Sequence, residues 1–264
     1  MILPLRLEQA LMRPNPNPGF DVTSAQARDD LTRMRREPRP LQRPVVVLAG
    51  WRALSLLPRN MIANLGGCFA DPSCEGFLPV AYPLETRITR AAAATIAEVE
   101  ARWPSGTSPH TREVDVIGVS MGGLVARAAA AGLADPDRRG SHAKPLRIAR
   151  LFTLGTPHRG ANLALEHPVD AAAVDMLPGS SLLRRLDEAW ADRPYEMVCY
   201  ARLHDEFVGA RRTAPPGMQP FWLSGLAIMS HLTIGQEPRI LADIARRLRG
   251  ESPWARVASA PPCD

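Results

Sequence analysis

The chain has 264 residues, 45% of them hydrophobic, and a formal net charge of +5. This length and composition predict one folded α/β domain with a sizeable core. No apolar run approaches the roughly 20 residues needed to cross a bilayer, which argues against a transmembrane segment. Lys144 is the only lysine, and the arginines are scattered among acids. This pattern argues against a nucleic-acid-binding face.

The cysteines lack the spacing of metal ligands, so no metal site is predicted. They are Cys68, Cys74, Cys199 and Cys263. Cys68 and Cys74 would pair across a short loop in an exported protein and would otherwise stay as free thiols, and the sequence leaves both open. Charged residues interrupt the first apolar residues too early for a secretory signal, so the expected location is cytoplasmic. The oligomeric state is not indicated.

Residues 1–43 contain many prolines and are expected to form an N-terminal arm that wraps the domain. A helix is predicted within the arm after Thr23, because Thr23 and Gln26 have the spacing of a capping box. Three apolar residues then recur on one helical face, namely Ala27, Leu31 and Met34.

The main domain is expected to span residues 44–250. The continuous apolar run at 44–51 is typical of a central parallel strand that is covered on both faces. A second strand at 77–82 is weakened by Pro79, and an amphipathic helix follows at 88–103. This alternation of strand and helix predicts a parallel sheet with right-handed crossovers.

The most informative motif joins the next strand to the next helix. It has the form Gly-x-Ser-x-Gly, as Gly118-Val119-Ser120-Met121-Gly122. A β-branched segment precedes it and small helix-forming residues follow, which is the context of a nucleophile elbow. We therefore predict Ser120 as a nucleophile and the Met121 N–H as an oxyanion donor. The alternative is an ordinary strand-to-helix turn.

The loop after the first strand, residues 50–54, is expected at the same edge of the sheet as Ser120. Elbow hydrolases take their second oxyanion donor from this loop, so the Trp51 N–H is assigned that role. The Trp51 side chain is alternatively an aromatic cap on the core, and both interpretations can hold together.

A further strand at 147–154 ends in the motif Leu154-Gly155-Thr156-Pro157-His158-Arg159-Gly160. With the elbow extended through Gly123-Leu124-Val125-Ala126-Arg127, this resembles the lipase branch of the α/β-hydrolase superfamily, near the PGAP1-like and bacterial triacylglycerol lipases. The resemblance covers roughly residues 44–250. It implies an α/β-hydrolase fold, with a mostly parallel central sheet flanked by helices and a small cap.

The chain departs from the family pattern at two positions. Val119 and Ala49 both stand where histidine is usual. Neither position carries a proton transfer, so the departures affect loop packing and oxyanion geometry. The resemblance assigns the cap to residues 161–193, with a short helical insertion at 175–186. Its apolar residues either line an acyl site or pack as a helix on the sheet edge.

The resemblance also places a catalytic acid just beyond the strand at 197–201. Asp205 matches the Asp-x-x-Val pattern of the family through Val208, and Glu206 is the alternative acid. The acid would accept the second ring N–H of the catalytic base and stabilise the imidazolium that forms.

His231 follows an apolar segment at 221–229 that is predicted as the last strand. A histidine in the loop after that strand is the third triad position of the family. His158 precedes any plausible acid, which breaks the chain order of serine, acid and histidine, and it is interpreted as structural. A closing helix is predicted at 238–248, with proline in its first turn, and residues 251–264 are expected to form a flexible tail.

These features predict a carboxylester hydrolase, a lipase or esterase, acting on a small-molecule or lipid ester without a cofactor. An acyltransferase or a thioesterase on the same fold is an alternative. A binding protein that keeps the fold without catalysis is a third, since fold alone does not decide function.

Overall fold

The computed structural model describes residues 17–53, 55–71, 75–135, 144–166 and 168–264. The first part of the predicted arm, Leu54 of the predicted oxyanion loop, and Cys74 lie outside the described residues. The possible pairing of Cys68 with Cys74 therefore stays an open expectation.

Among the described residues, six parallel strands form one sheet in the order β2-β1-β3-β4-β5-β6. The strands are β1 (Val45–Leu48), β2 (Phe77–Val80), β3 (Val114–Val119), β4 (Ile148–Leu154), β5 (Glu196–Arg202) and β6 (Phe221–Leu223). The predicted parallel sheet is confirmed. Pro79 lies in β2 at the sheet edge, where its missing N–H removes no hydrogen bond from a central strand.

Helices cover both faces of the sheet. They are α1 (Ser24–Arg36), α2 (Leu56–Gly66), α3 (Ile88–Arg102), α4 (Met121–Ala130), α5 (Asn162–Glu166), α6 (Ala171–Asp175), α7 (Ser181–Ala189), α8 (Ala227–Leu232) and α9 (Pro238–Leu248). Helices α3, α4 and α7 share one core with alternate strand residues, and α1, α2 and α9 share the other. In β1, Val46 and Leu48 enter the first core while Val45 and Val47 enter the second. This two-sided burial explains the continuous apolar run.

The helix predicted within the N-terminal arm is confirmed. Thr23 caps it, and the Thr23 and Gln26 side chains form the expected capping box. The predicted apolar face is buried, and the helix packs against α9 through an ion pair between Asp30 and Arg246. Burial opposes ionisation of Asp30, but hydrogen bonds from Arg246, Trp254 and Arg33 hold its pKa below the ordinary value.

The C-terminal segment differs from the flexible tail expected from the sequence. Residues 251–264 contain no helix or strand but are hydrogen-bonded to the domain. The Arg256 N–H donates to the Gly19 carbonyl at 2.8 Å, and Arg211 Nη2 donates to the Pro262 carbonyl at 2.6 Å. These contacts are non-local, so the local sequence carries no sign of them.

The end of the sheet also differs from the prediction. The last strand stops at Leu223, and residues 227–232 form α8 instead of continuing the strand. An apolar run of this length fits a short strand and a buried helix equally well. In the part of the chain that the structure describes, none of the helices has the length and apolar character needed to span a membrane.

Candidate active site

Ser120 lies at the turn between β3 and α4, in a backbone conformation that L residues rarely adopt. Its φ is 52° and its ψ is −125°. Such strain persists only where the surroundings fix it. Two hydrogen bonds do so, because the Ser120 N–H donates to the Leu154 carbonyl at 2.8 Å and Thr156 Oγ1 donates to the Ser120 carbonyl at 2.8 Å. The turn therefore has the geometry predicted for a nucleophile elbow.

Gly122 shows why the elbow needs glycine. A Cβ at this position would lie 2.7 Å from the Ala49 carbonyl oxygen and 2.8 Å from that of Leu48. The start of α4 thus passes the end of β1 too closely for any side chain. This approach brings the loop after β1 next to the serine.

His231 bridges Ser120 and Asp205. His231 Nε2 lies 3.0 Å from Ser120 Oγ, and Nδ1 lies 2.8 Å from Asp205 Oδ2. The three side chains come from the turn after β3, the loop after β5 and the helix after β6. The carboxyl ends of parallel strands meet at one edge of a sheet, which is why residues so far apart in the sequence converge.

Asp205 is held by its own loop. Its Oδ1 accepts hydrogen bonds from the N–H groups of Phe207 at 3.1 Å and Val208 at 3.0 Å, while Oδ2 faces His231. The side chain is buried, whereas Glu206 is exposed on the same turn. Of the two acids considered from the sequence, Asp205 is the one that the geometry favours.

His231 lies on α8, so its predicted position in a loop is wrong. The helix is fixed in place by Ser230, whose Oγ donates to the Leu203 carbonyl at 2.8 Å. The Phe207 ring stacks on the imidazole with 5.1 Å between ring centroids. The histidine is thereby oriented from two sides, and 13% of its side chain remains exposed.

Both predicted oxyanion donors adjoin Ser120. Met121 is the first residue of α4, and the first N–H groups of a helix have no partner within it. Trp51 follows Gly50, where a Cβ would lie 3.2 Å from that of Ser120. Upstream, the buried Tyr82 hydroxyl donates to the Ala49 carbonyl at 2.5 Å and fixes the start of this loop.

A small, mainly apolar cavity of about 40 Å³ opens beside the serine. It is lined by Trp51, Ser120, Pro157, Ala161, Leu163, Ala164, Ala173, Met176, Phe207, Val208 and His231. Ala173 and Met176 come from the predicted cap, so part of the cap does line the site. Within the predicted insertion at 175–186, Met176 lines the cavity, whereas the leucines of α7 belong to the core. The two alternatives considered for the insertion thus apply to different residues of it.

His158 has structural contacts, as its place in the chain order predicted. It is fully buried, with Nδ1 at 3.1 Å from Arg127 Nη1 and Nε2 at 3.1 Å from Thr153 Oγ1. Arginine only donates, so Nδ1 accepts and Nε2 carries the proton. Burial, together with the positive charges of Arg127 and Arg159, holds the pKa of His158 well below its ordinary value.

Two supporting residues are absent from the sequence-based site. Thr156, which fixes the Ser120 carbonyl, lies inside the motif at 154–160, and the motif alone does not reveal its partner. Phe207, which stacks on His231, stands two residues after Asp205. Within the described residues, no group of three or more His, Cys, Asp or Glu side chains could hold a metal ion.

Residues 86–173, about a third of the chain, match the sequence model of the PGAP1-like alpha/beta domain. Comparison with curated proteins finds no match.

Two solved structures resemble this fold at low sequence identity. The lipase BlEst2 of Bacillus licheniformis in its propeptide form is 15% identical with a TM-score of 0.52, covering 84% of this chain and 54% of that one. The phospholipase PlaB from Legionella pneumophila, in complex with thio-NAD, is 13% identical with a TM-score of 0.55, covering 80% of this chain and 59% of that one. This chain thus matches little more than half of each protein's length. It has the α/β-hydrolase fold, and its central third matches the PGAP1-like alpha/beta domain.

Proposed function

We propose that this protein is a serine hydrolase that cleaves carboxylic esters, with Ser120 as nucleophile, His231 as base and Asp205 as the orienting acid. One observation carries the proposal: a strained serine at a strand-to-helix turn is hydrogen-bonded to a histidine that is hydrogen-bonded to a buried carboxylate. Roles in such a triad are recognised by geometry and not by sequence position.

The hydrogen bonds fix which nitrogen of His231 can act as a base. An ionised carboxylate only accepts, so Asp205 Oδ2 takes the hydrogen bond from Nδ1–H. The neutral ring then presents the lone pair of Nε2 to the Ser120 hydroxyl at 3.0 Å. As Ser120 Oγ attacks the ester carbonyl carbon, Nε2 takes its proton, and Asp205 stabilises the imidazolium that forms.

The oxyanion of the tetrahedral intermediate would be bound by the N–H groups of Met121 and Trp51. Collapse of the intermediate breaks the ester C–O bond, and the leaving alcohol takes the proton from His231. Water then attacks the acyl-enzyme while His231 takes its proton. The bond between the acyl carbon and Ser120 Oγ breaks, Ser120 Oγ takes the proton back from His231, and the carboxylic acid is released. Removing one oxyanion donor typically costs on the order of 100-fold or more in turnover.

The cavity beside Ser120 supports an ester with a short acyl chain. Its lining is mainly apolar, and its volume of about 40 Å³ fits a short chain better than a long one. Ala161, Ala164 and Ala173 contribute small side chains to the wall. We therefore expect turnover to be highest for short acyl groups and to fall as the chain lengthens.

The test is hydrolysis of p-nitrophenyl esters from acetate to palmitate by the native protein and by Ser120→Ala. We expect turnover of the short esters by the native protein and none above background in the variant. A fluorophosphonate probe should add mass to the native protein and not to Ser120→Ala, because it reacts with an activated serine. Ser252→Ala, at an exposed serine of the C-terminal segment, is the matched control and should behave like the native protein.

Two results would reject the proposal. One is equal turnover by the native protein and Ser120→Ala. The other is a folded native protein that neither hydrolyses any ester of the series nor reacts with the probe. Circular dichroism and thermal denaturation of all three proteins establish that they are folded.

A further inference from the structure

We infer that Asp170 is a positioning residue, which ties the cap to the loop after β1 and so holds the Trp51 N–H in place as an oxyanion donor. The inference rests on the proposed function and extends it. Asp170 does not contact the triad, and it acts through Trp51 and Arg52.

The two oxygens of the Asp170 carboxylate serve different parts of the molecule. Oδ2 accepts hydrogen bonds from Trp51 Nε1 and from Arg52 Nη2, both at 3.1 Å. Oδ1 accepts from the Ala173 N–H at 2.8 Å and caps α6. The Asp170 side chain is only 8% exposed, whereas that of Arg52 is 56% exposed, so water screens the contact with Trp51 less than the contact with Arg52. A single side chain thus joins the loop after β1 to the first turn of α6.

The loop needs such a contact because its backbone is strained. Arg52 has a φ of 52°, which a residue with a Cβ adopts only where its surroundings hold it there. Tyr82 fixes the loop upstream at the Ala49 carbonyl. Downstream, Asp170 binds Trp51 and Arg52, and the Arg52 guanidinium lies over the Trp51 ring at 4.9 Å. The Trp51 peptide lies between these two attachments.

The same carboxylate also links the oxyanion loop to the wall of the cavity. Ala173 of α6 and Met176, just beyond its end, line that cavity. A shift of α6 would therefore move the cavity wall and the Trp51 peptide together. Oxyanion hydrogen bonds strengthen in the transition state, so displacement of the donor lowers kcat more than it changes KM.

Asp170→Asn separates the two roles of the carboxylate. Asparagine is a good N-cap, so its oxygen can still accept from the Ala173 N–H. Its NH2 group only donates and would face the donors of Trp51 and Arg52. We expect kcat for p-nitrophenyl butyrate to fall about 10- to 100-fold, with KM changed by less than about threefold. The matched control is Asp175→Asn, which removes a carboxylate from the same helix. Asp175 contacts the Ile88 N–H at the start of α3, so the kcat of this variant should stay close to native.

Trp51→Phe and the double variant complete the experiment. Phenylalanine keeps the aromatic ring and removes the indole N–H, so Trp51→Phe should lose a similar factor in kcat. The double variant should be no slower than the slower single variant, because Asp170→Asn already breaks the contact that Trp51→Phe removes. Multiplied losses, or an Asp170→Asn kcat within about twofold of native, would overturn the inference.

The fluorophosphonate probe distinguishes failure of this inference from failure of the proposed function. If the native protein reacts at Ser120 and hydrolyses esters while Asp170→Asn equals native, the inference alone fails. If the folded native protein does neither, the proposed function fails and this inference fails with it.

Discussion

The region around His231 and the region around His158 differ in the groups that face the imidazole ring. Both histidines follow Ser120 in the sequence. At the sheet edge, His231 turns Nδ1 to the Asp205 carboxylate and Nε2 to Ser120. In the core, His158 turns Nδ1 to the Arg127 guanidinium and Nε2 to Thr153. A carboxylate accepts and a guanidinium donates, so the neutral rings carry their protons on opposite nitrogens.

This difference decides what each ring can do. The Arg127 side chain is 1% exposed and also binds the Leu186 carbonyl and the Asp187 carboxylate, which fixes α7 against α4. A proton on both nitrogens of His158 would face a buried cation. A second proton on His231 would sit on Nε2, and the positive ring would then face the buried Asp205 carboxylate through Nδ1–H instead. Proximity to the elbow motif therefore does not identify a catalytic base, whereas the group that faces its other nitrogen does.

The largest expected difference is between a variant of His231 and a variant of His158. His231→Ala should lower kcat on the order of 10⁵- to 10⁶-fold, because it removes the ring nitrogen that is hydrogen-bonded to Ser120 Oγ. His158→Gln should leave kcat within about threefold of native, because the amide oxygen can accept from Arg127 and the NH2 group can donate to Thr153. Steady-state hydrolysis of p-nitrophenyl butyrate measures both. Equal losses in the two variants would contradict the contrast.

A smaller but still large effect should separate the two acids that follow β5. Asp205→Asn should lower kcat by about 10⁴-fold, because asparagine no longer fixes the productive tautomer of His231 or stabilises its imidazolium. Glu206→Gln removes the same charge one residue away and should stay within about twofold of native, since that side chain is exposed. The same esterase assay measures both variants. A reversed order would assign the acid to Glu206.

The strand-to-helix turn at Ser120 could be predicted because its causes are local. A tight turn between a strand and a helix is specified by Ser120, Gly122 and the residue types beside them, without contacts from distant parts of the chain. The capping box of Thr23 and Gln26 is local in the same way. The three residues predicted as a triad, Ser120, Asp205 and His231, lie together at one edge of the sheet.

The remaining differences depend on contacts between distant residues. Residues 226–229 are apolar, and no local feature shows whether they form a strand or a helix. In the folded chain, residues 227–229 belong to α8, which the hydrogen bond from Ser230 Oγ to the Leu203 carbonyl holds in place. Trp51 and Asp170 meet across 119 positions of sequence. The C-terminal segment is held by Arg211 and Gly19, neither of which is near it in the chain. Such contacts join residues that are far apart in the sequence, so local sequence patterns do not predict them.

The smallest predicted effect is a pH dependence of the free energy of unfolding that is caused by the titration of His158. Its pKa is well below the ordinary value when folded, so only the unfolded chain takes up this proton near pH 6.5. The free energy of unfolding rises with pH wherever the unfolded state binds more protons than the folded state. The protein should therefore lose stability as the pH falls below about 6.5. Between about pH 7.5 and about pH 5.5 the loss due to this group should be about 1.4 kcal/mol.

His158→Gln removes the titrating ring and keeps the hydrogen-bonding roles, which makes it the matched variant. Urea unfolding at both pH values should show native losing about 1.4 kcal/mol more than His158→Gln. The hydrogen-bonded carboxylates with lowered pKa, such as Asp30 and Glu251, lose their stabilisation at lower pH and do not contribute in this window. Parallel losses in the two proteins would mean that His158 takes up a proton in the folded state, which would break the contrast with His231.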